Sequence, residues 1–437
     1  VAVDLKGGPM PVTRASIGGA DYINWSNGGA QLHWSLGPVV YSAAAKDLFP
    51  SAPPAEGAAK FQAPKTGVSL SMDVAADRPK GTVALTGARI VTMAGADGGV
   101  IDDGVIVIRD DRIAAVGKTG AVAIPEGAKT VDLAGKTIIP GLIDAHAHGP
   151  HGTDELVPQQ NWSMIVNLAM GNTTAHNPSY PSTEIFAAAE MQRAGVILGP
   201  RTFSTGTIVY GARQAGNYAQ IDSLDDALAH VRRLKAQGAH SIKNYNQPRR
   251  DQRQQLTAAA RQEGMQVVAE GGALFGLDMT HVADGNSTVE HNVPLSTFYE
   301  DVLSFWAQSK TYYTPTLVVT FGGLAADPYW RQHTNVFDQP ILKRHIPPAR
   351  LAADNVRRPM APEGDYVDDE SAREAHKLAK RGVPVSIGAH GQQSGLGPHW
   401  ELWSFVRGGM TPVEALSAGT ITAARSLGMD KDIGSLE

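Results

Sequence analysis

Thr137-Ile-Ile-Pro-Gly-Leu-Ile-Asp-Ala-His-Ala-His148 decides the fold of this chain. It reads as a short apolar strand that ends in two histidines one residue apart. Side chains at i and i+2 of a strand share a face, so His146 and His148 point the same way, within reach of one ion. Neutral imidazole is the commonest ligand for zinc and similar metals. The bland alternative is a polar strand end carrying two solvated histidines, and the rest of the chain decides between the two.

Beyond His148, strand-like and helix-like segments alternate, the pattern of βα units on a parallel sheet. Eight strand candidates emerge: 137–146, 172–176, 199–205, 239–245, 265–270, 287–292, 311–318 and 383–389. Ser223-Leu-Asp-Asp226 opens a helix with a capping-box-like start; Ala227, Leu228, Val231 and Leu234 give it one apolar face, and Gly238 ends it. Thr411-Pro-Val-Glu414 opens another, with proline at the first helical position. Eight units fit a (β/α)8 TIM-type barrel better than an open sheet. A long insert rich in Pro, Arg and Trp, between Gly322 and Ala372, is expected to form a lid over one barrel face.

In a parallel barrel the active site lies at the C-terminal ends of the strands. His146 and His148 close the first candidate strand and His176 the second. Lys243 and Tyr245 close the fourth and share a face. Glu270 closes the fifth, His291 the sixth and His390 the eighth. A random scatter of 14 histidines would not favour these positions so heavily. Together they describe a ring of nitrogen and oxygen ligands suited to one or two divalent ions. Lysine is ordinarily a surface residue, but Lys243, beside Ile242 at a buried strand end, needs neutralisation or modification. His176 reads as a packing or hydrogen-bonding group before a ligand, His281 and His399 as structural or substrate-facing, Trp400, Trp403, Tyr312 and Tyr313 as core, and Arg249-Arg250 as a solvated helix start before an anion clamp.

Upstream, residues 1–80 are turn-rich. Tyr22–Ser26 and Gln31–Ser35 form two strands around Asn27-Gly-Gly29, a hairpin too small to stand alone and in need of a partner sheet. Pro50 to Lys80 reads as a linker with an edge strand. From Gly81 to residue 136, Val83–Thr92, Gly104–Arg109, Arg112–Gly117 and Lys129–Ala134 form a small antiparallel β unit. The domains expected are thus 1–80, 81–136 and 137–437.

Composition narrows the chemistry. The chain has 437 residues, 42% of them hydrophobic and 19% charged, ordinary for a globular protein with room for more than one domain. A formal charge of −5 and the lack of a basic stripe speak against nucleic acid, and no apolar run is long enough to span a bilayer. With no cysteine, disulfides, thiolate zinc sites and a cysteine nucleophile are excluded. There is no G-x-S-x-G, no P-loop, and no G-x-G-x-x-G between strand and helix. The chain begins at Val1 without methionine, as expected of a processed or excised chain; the compartment is not legible, with a leaning to the bacterial periplasm or secretion.

Pro140-Gly-Leu-Ile-Asp-Ala-His-Ala-His148, preceded by a small β unit and followed by Gly171-Asn-Thr-Thr174, resembles the metal-dependent amidohydrolase superfamily over about residues 81–437. The resemblance implies a (β/α)8 barrel beside a β-sandwich, with a mono- or binuclear centre. It implies metal ligation by His146, His148 and His291, and a carbamate on Lys243 bridging two ions, most simply Zn2+. Lys243–Arg250, Ala269–Gly272, Gly388–Gly391 and His399–Glu401 look like blocks of the prolidase- and imidazolonepropionase-like subgroup fused behind a TolB-type β-propeller. The Trp-Ser repeats near residues 25–35 resemble its last blade, so the N-terminal extension is expected to be a propeller remnant. Glu270 stands where the wider superfamily has histidine, and His390 where it has aspartate. The chain also stops at Gly434–Glu437, before the strands that normally complete the sandwich, so further residues are expected.

The expected activity is metal-assisted hydrolysis of an amide or peptide-like C–N bond in a small molecule or short peptide. Ligands would be His146, His148, Lys243, Glu270 and His291; His390 would be the acid/base and Tyr245 a donor to the oxyanion. If His390 is a ligand instead, Glu270 becomes the base. Alternatives are a lactone or phosphotriester hydrolase at the same centre, or a non-catalytic metal-binding barrel serving as an interaction module, as a homo-oligomer or on a propeller.

Overall fold

A computed structural model of the chain describes residues 12–50, 61–95, 97–211, 218–246, 249–272, 274–353, 355–356 and 359–437. Strands β1 (Asp21–Ser26), β2 (Gln31–Leu36), β3 (Val39–Ala44) and β4 (Val68–Ser69) form an antiparallel sheet in that order. The expected hairpin does find a sheet around it, its Trp34 packing with Ala43 and Leu48. A second sheet joins β5 (Thr82–Val91), β6 (Val100–Arg109), β7 (Arg112–Lys118), β8 (Lys129–Asp132) and β9 (Thr137–Ile138). It is mixed rather than antiparallel throughout, because β8 and β9 both run parallel to β5.

The stretch read as one strand over 137–146 is two strands in two sheets. Thr137–Ile138 completes the second sheet, whereas β10 (Leu142–Asp144) opens the parallel array. Proline has no N–H for a ladder, which ends β9 before Pro140. Gly141 then passes so close to β11 that an added Cβ would stand 2.1 Å from Thr173 Oγ1. The two histidines therefore follow the last ladder residue of β10.

The parallel strands fall into two sheets: β10 with β11 (Asn172–Asn177) and β12 (Arg201–Ser204), and β13 (Ile208–Tyr210), β14 (Tyr218–Gln220), β15 (Ser241–Asn244), β16 (Gln266–Glu270), β17 (Thr288–Glu290) and β18 (Tyr312–Thr314) in the order β14-β13-β15-β16-β17-β18. Strands β13 and β14 were not expected from the sequence. The seventh candidate, 311–318, stops at Thr314, because Thr316 adopts φ 46° and leads into a tight turn at Leu317–Val319. The eighth, 383–389, forms no regular strand, only an isolated parallel bridge between Val385 and Tyr313. It is nonetheless bonded on both sides: Tyr313 N donates to Pro384 O, Ser386 N to Tyr313 O, and Ala145 N to Ile387 O.

Helices cover the outside of the array. Ser223 Oγ accepts from Asp226 N at 3.1 Å to start Leu224–Gln237, and Gly238 at φ 104° ends it. Ala227, Val231 and Leu234 lie fully buried against Val209, Ile242 and Val267. Truncating Leu234 to alanine should cost roughly 2–5 kcal/mol. Thr411 and Glu414 form a capping box, with Pro412 in the first turn. The insert folds as Ala326–His333, Pro340–His345 and Pro348–Ala353 and runs into Asp368–Lys380. Its Ile346, Arg350, Leu351 and Asn355 face His148, Trp162 and Gln393 across a cavity of about 430 Å3, so the insert does stand over the strand-end face. Among the described residues no helix is long and apolar enough to cross a membrane.

Candidate metal centre

His146, His291 and His390, though spread over more than two hundred positions of the chain, offer ring nitrogens that all lie within 4.8 Å of one another. Each ring is held from behind. His146 Nδ1 stands 2.7 Å from Glu290 Oε2, His291 Nδ1 2.7 Å from Thr316 Oγ1, and His390 Nδ1 2.8 Å from Gln392 Oε1. With Nδ1 engaged, the Nε2 atoms are the ones left for the centre. His148 is outside this group of three but close to it, its Nε2 3.2 Å from His146 Nε2 and its ring 4.7 Å from that of His390.

Two of these histidines sit on unusual backbone. His291 has φ 67° and His390 φ 56°, in the left-handed region that costs a residue with a Cβ about 1–2 kcal/mol. The twist breaks the pleat at the strand end: Glu290 and His291, neighbours that a regular strand would send to opposite faces, both turn inward. The close approach of the eighth segment needs Gly388, where a Cβ would fall 2.7 Å from His146 Cβ and from Thr314 Cγ2. Asp144 ties that segment to β10, accepting from Ala389 N at 3.0 Å and His146 N at 3.2 Å. His390 N donates to His146 O at 2.7 Å.

Lys243 and Glu270 form a short ion pair, the lysine almost wholly buried. Glu270 Oε1 also lies 3.2 Å from His291 Nε2. The alignment is not that of a hydrogen bond, and His291 Nε2 remains a buried nitrogen without such a partner. A cation between these groups would satisfy it. Tyr245 packs edge-on against Tyr210 and Tyr218, with Lys243 Nζ 6.0 Å from its ring centroid, so it borders the site on the Lys243 side.

The electrostatics suit cation binding. Burial lowers His148 to about 3, helped by His390 and Lys243, and lowers His390 to about 4, helped by His291. His146 is pushed well below the ordinary range by burial and by Lys243. Imidazoles that stay neutral are the form that ligates metal. Burial pushes Glu270 up, but the Lys243 ammonium and His291 outweigh it and hold the carboxyl below its ordinary value. Glu290 goes the other way, pushed up to about 8 by complete burial against the attraction of Lys243.

Every site residue named from the sequence thus lies at or beside this cluster: His146, His148, Lys243, Tyr245, Glu270, His291 and His390. Both ring nitrogens of His176 are engaged, with Ala145 O at 3.1 Å and Ser241 Oγ at 2.7 Å, a packing role. His399 bonds Met170 O and Trp400 is core, whereas Trp403 is 40% exposed. Arg249 and Arg250 pair with Asp251 and Asp284 at the surface. Sequence reasoning missed Glu290, Thr316, Gln392 and Glu401. Glu290 directly precedes a named ligand candidate and was the one open to notice. Glu401 is fully buried and accepts from Val318 N at 2.7 Å and Gly388 N at 3.4 Å, bracing the segments that carry Thr316 and His390.

Parallel strands under helices, with a histidine cluster at their ends, define the class of an α/β metal-dependent hydrolase. Residues 137–437 match the amidohydrolase family, and the chain belongs to that family, whose members imply a divalent metal. Similar chains include imidazolonepropionase of Sphingopyxis alaskensis, 32% identical over 177 residues, covering 40% of this chain and 36% of that relative. Imidazolonepropionase of Erwinia tasmaniensis is 26% identical over 370 residues, 80% of this chain and 88% of the relative. The matched region spans about a third of the length of the first relative and 17% of one from Methylobacterium sp.. Among solved structures, a Xaa-Pro dipeptidase with bound methionine superposes with a TM-score of 0.61 at 18% identity, covering 82% of this chain and 91% of that one. Phenylurea hydrolase B does so with 0.61 at 20% identity, covering 82% and 89%. These likenesses establish a shared fold.

Proposed function

We propose that this chain is a metal-dependent hydrolase that cleaves an amide or peptide-like C–N bond in a small molecule or short peptide. One observation carries the reading: three imidazoles bring ring nitrogens within 4.8 Å of one another while a side-chain oxygen lies against each Nδ1. The names of the relatives, an imidazolonepropionase and a Xaa-Pro dipeptidase among them, point to the same bond type.

His146, His291 and His390 would hold the ion, with His148 beside them and Glu270 and Lys243 lining the remaining side. The donor set, all nitrogen and carboxylate oxygen, suits Zn2+. When bound, a divalent ion supplies Lewis acidity, polarising a carbonyl and acidifying water. With His390 counted among the metal-holding groups, Glu270 is the remaining candidate to accept a proton, and release of its ion pair with Lys243 would strengthen it as a base. Tyr245, beside Lys243, would donate a hydrogen bond toward the substrate oxygen. Lys243 would be the site for a carbamate; that group is anionic, so its formation would end the ion pair with Glu270 and favour a second divalent ion.

The strand array is read as a closed TIM-type barrel, supported by the bonds from His240 N to Ser204 O, Tyr313 N to Pro384 O and Ala145 N to Ile387 O. Strands β1–β4, four antiparallel strands in sequence order, have the make-up of a propeller blade, which supports setting 1–80 apart; the pairing of Thr137–Ile138 with β5 favours ending the second unit at Ile138 rather than at 136.

The test is to strip the protein with chelator, reload it with Zn2+, and assay dipeptides and N-acyl amino acids. Hydrolysis that follows metal content is expected. A loaded protein that cleaves no amide would end this reading, and turnover of lactones or phosphotriesters alone would move it to that chemistry.

A further inference from the structure

The turn that carries His390 is gripped from two sides, and one grip comes from the insert. On the near side Asp144 Oδ1 accepts from Ala389 N at 3.0 Å, and His390 N donates to His146 O at 2.7 Å. Both tie the turn to the end of β10. Beyond them the backbone is left-handed at His390 and at Gly391, with φ 56° and 91°. Regular strand pairing cannot pass through such a turn, so contacts from elsewhere must set where Gln392 lies.

Those contacts come from Arg331, on the insert helix Ala326–His333 and only 5% exposed. Its Nη2 donates to Gln392 O at 3.0 Å, and its Nη1 to Gln393 Oε1 at 3.1 Å and Asn355 Oδ1 at 2.7 Å. Its Nε faces both oxygens of Asp327 at 3.0 and 2.9 Å, and the guanidinium stands 5.6 Å from the Trp400 ring centroid. A rigid planar fork engaged on several sides fixes direction as well as distance. Gln392 is itself exposed, and its only two hydrogen bonds among the described residues are this one and the one its side chain makes with His390. A carbonyl oxygen only accepts, so the 2.8 Å contact of Gln392 Oε1 puts the proton on His390 Nδ1 and leaves the Nε2 lone pair for the centre. A path of two hydrogen bonds therefore runs from the insert to a histidine of the cluster.

We propose that Arg331 is a positioning residue for the metal centre: acting through Gln392, it orients His390, so the insert belongs to the scaffold that holds the ion and is more than a cover above it. The inference rests on the reading of His390 as a metal-holding group. Lysine cannot stand in for Arg331, because a single ammonium on a flexible stem does not span Asp327, Asn355 and the Gln392 carbonyl in one fixed geometry.

The experiment is a double-mutant cycle on Zn2+ affinity, read on the full-length protein by competition with a chromogenic chelator. Arg331→Lys keeps the charge and loses the fork, and its affinity is expected to fall about tenfold or more. Gln392→Ala should weaken binding by a similar factor. Because both residues act on one path, the double variant should lose little more than the weaker-binding single variant. Parental affinity in Arg331→Lys, or losses that multiply in the double variant, would overturn the proposal, since a purely structural arginine has no reason to share its effect with Gln392. If Arg331→Lys does not fold, Asp327→Asn removes the charge that Nε faces and takes its place in the cycle, with a smaller loss and the same coupling expected. His390→Asn is measured alongside. Parental affinity in that variant would remove His390 as a ligand and the proposal with it, whereas a loss there with parental affinity in Arg331→Lys would end the role of Arg331 alone.

Discussion

Glu290 Oε2 lies 2.7 Å from His146 Nδ1, with both side chains buried and 144 positions between them. Thr288 Oγ1 also donates to Glu290, at 2.5 Å. A cation on His146 Nε2 favours the tautomer with the proton on Nδ1, and that proton then bonds an ionised Glu290. The carboxylate thus orients the ring and makes it a stronger ligand.

Replacing Glu290 by Gln keeps the shape but removes the charge. Metal affinity should fall about 10–100-fold with little change in fold. Competition with a chromogenic chelator measures this, and an unchanged affinity would mean that His146 does not ligate through Nε2.

His390 shares the three-nitrogen group with His146 and His291. His390→Asn should lower bound metal and turnover together. A variant that keeps its metal and loses turnover would instead make His390 a proton-transfer group. Metal analysis and steady-state rates on one preparation separate these outcomes.

Gly388 leaves no room for a side chain against His146, Thr314 and Thr316. Gly388→Ala should destabilise the fold by about 1–3 kcal/mol, the usual cost of overpacking. It should also weaken metal binding, because the eighth segment carries His390. Chemical unfolding and metal titration give the two numbers; stability equal to the parent's would show that the segment can give way.

Burial pushes Glu401 up to about 8 from an ordinary 4.5. The folded state then binds its proton where the unfolded chain has already released it. Stability from this group is fully present below the unfolded value and is lost as pH rises through about 8. Relative to Glu401→Gln, the parent protein should lose stability between about pH 5 and about pH 8, on the order of a few kcal/mol. Unfolding curves of the two metal-free proteins across that range test it, and parallel pH dependences would count against a raised Glu401.

Much of the site was legible because a parallel sheet sends its strand ends to one face. His146, Lys243, Glu270, His291 and His390 all end strand-like runs, and linear order alone locates such residues at one mouth. Glu290 escaped because regular pleating would turn it away from His291; only the left-handed backbone at His291 brings both inward. Thr316 escaped for a related reason, since 311–318 read as one continuous strand and instead turns at that residue. The first strand was misjudged in length because its apolar run continues across Pro140-Gly141, where hydrogen bonding changes sheets.

By itself the sequence determined the alternation of strands and helices, the ends at which polar residues gather, and the family, because periodicity and motif are local properties of the chain. Tertiary structure alone decided which atoms meet: that Glu290 backs His146, that His390 joins His146 and His291, and that Glu401 braces the segments carrying Thr316 and His390. Those pairings depend on backbone twist and on the packing of distant segments, and neither is written in any single stretch of residues.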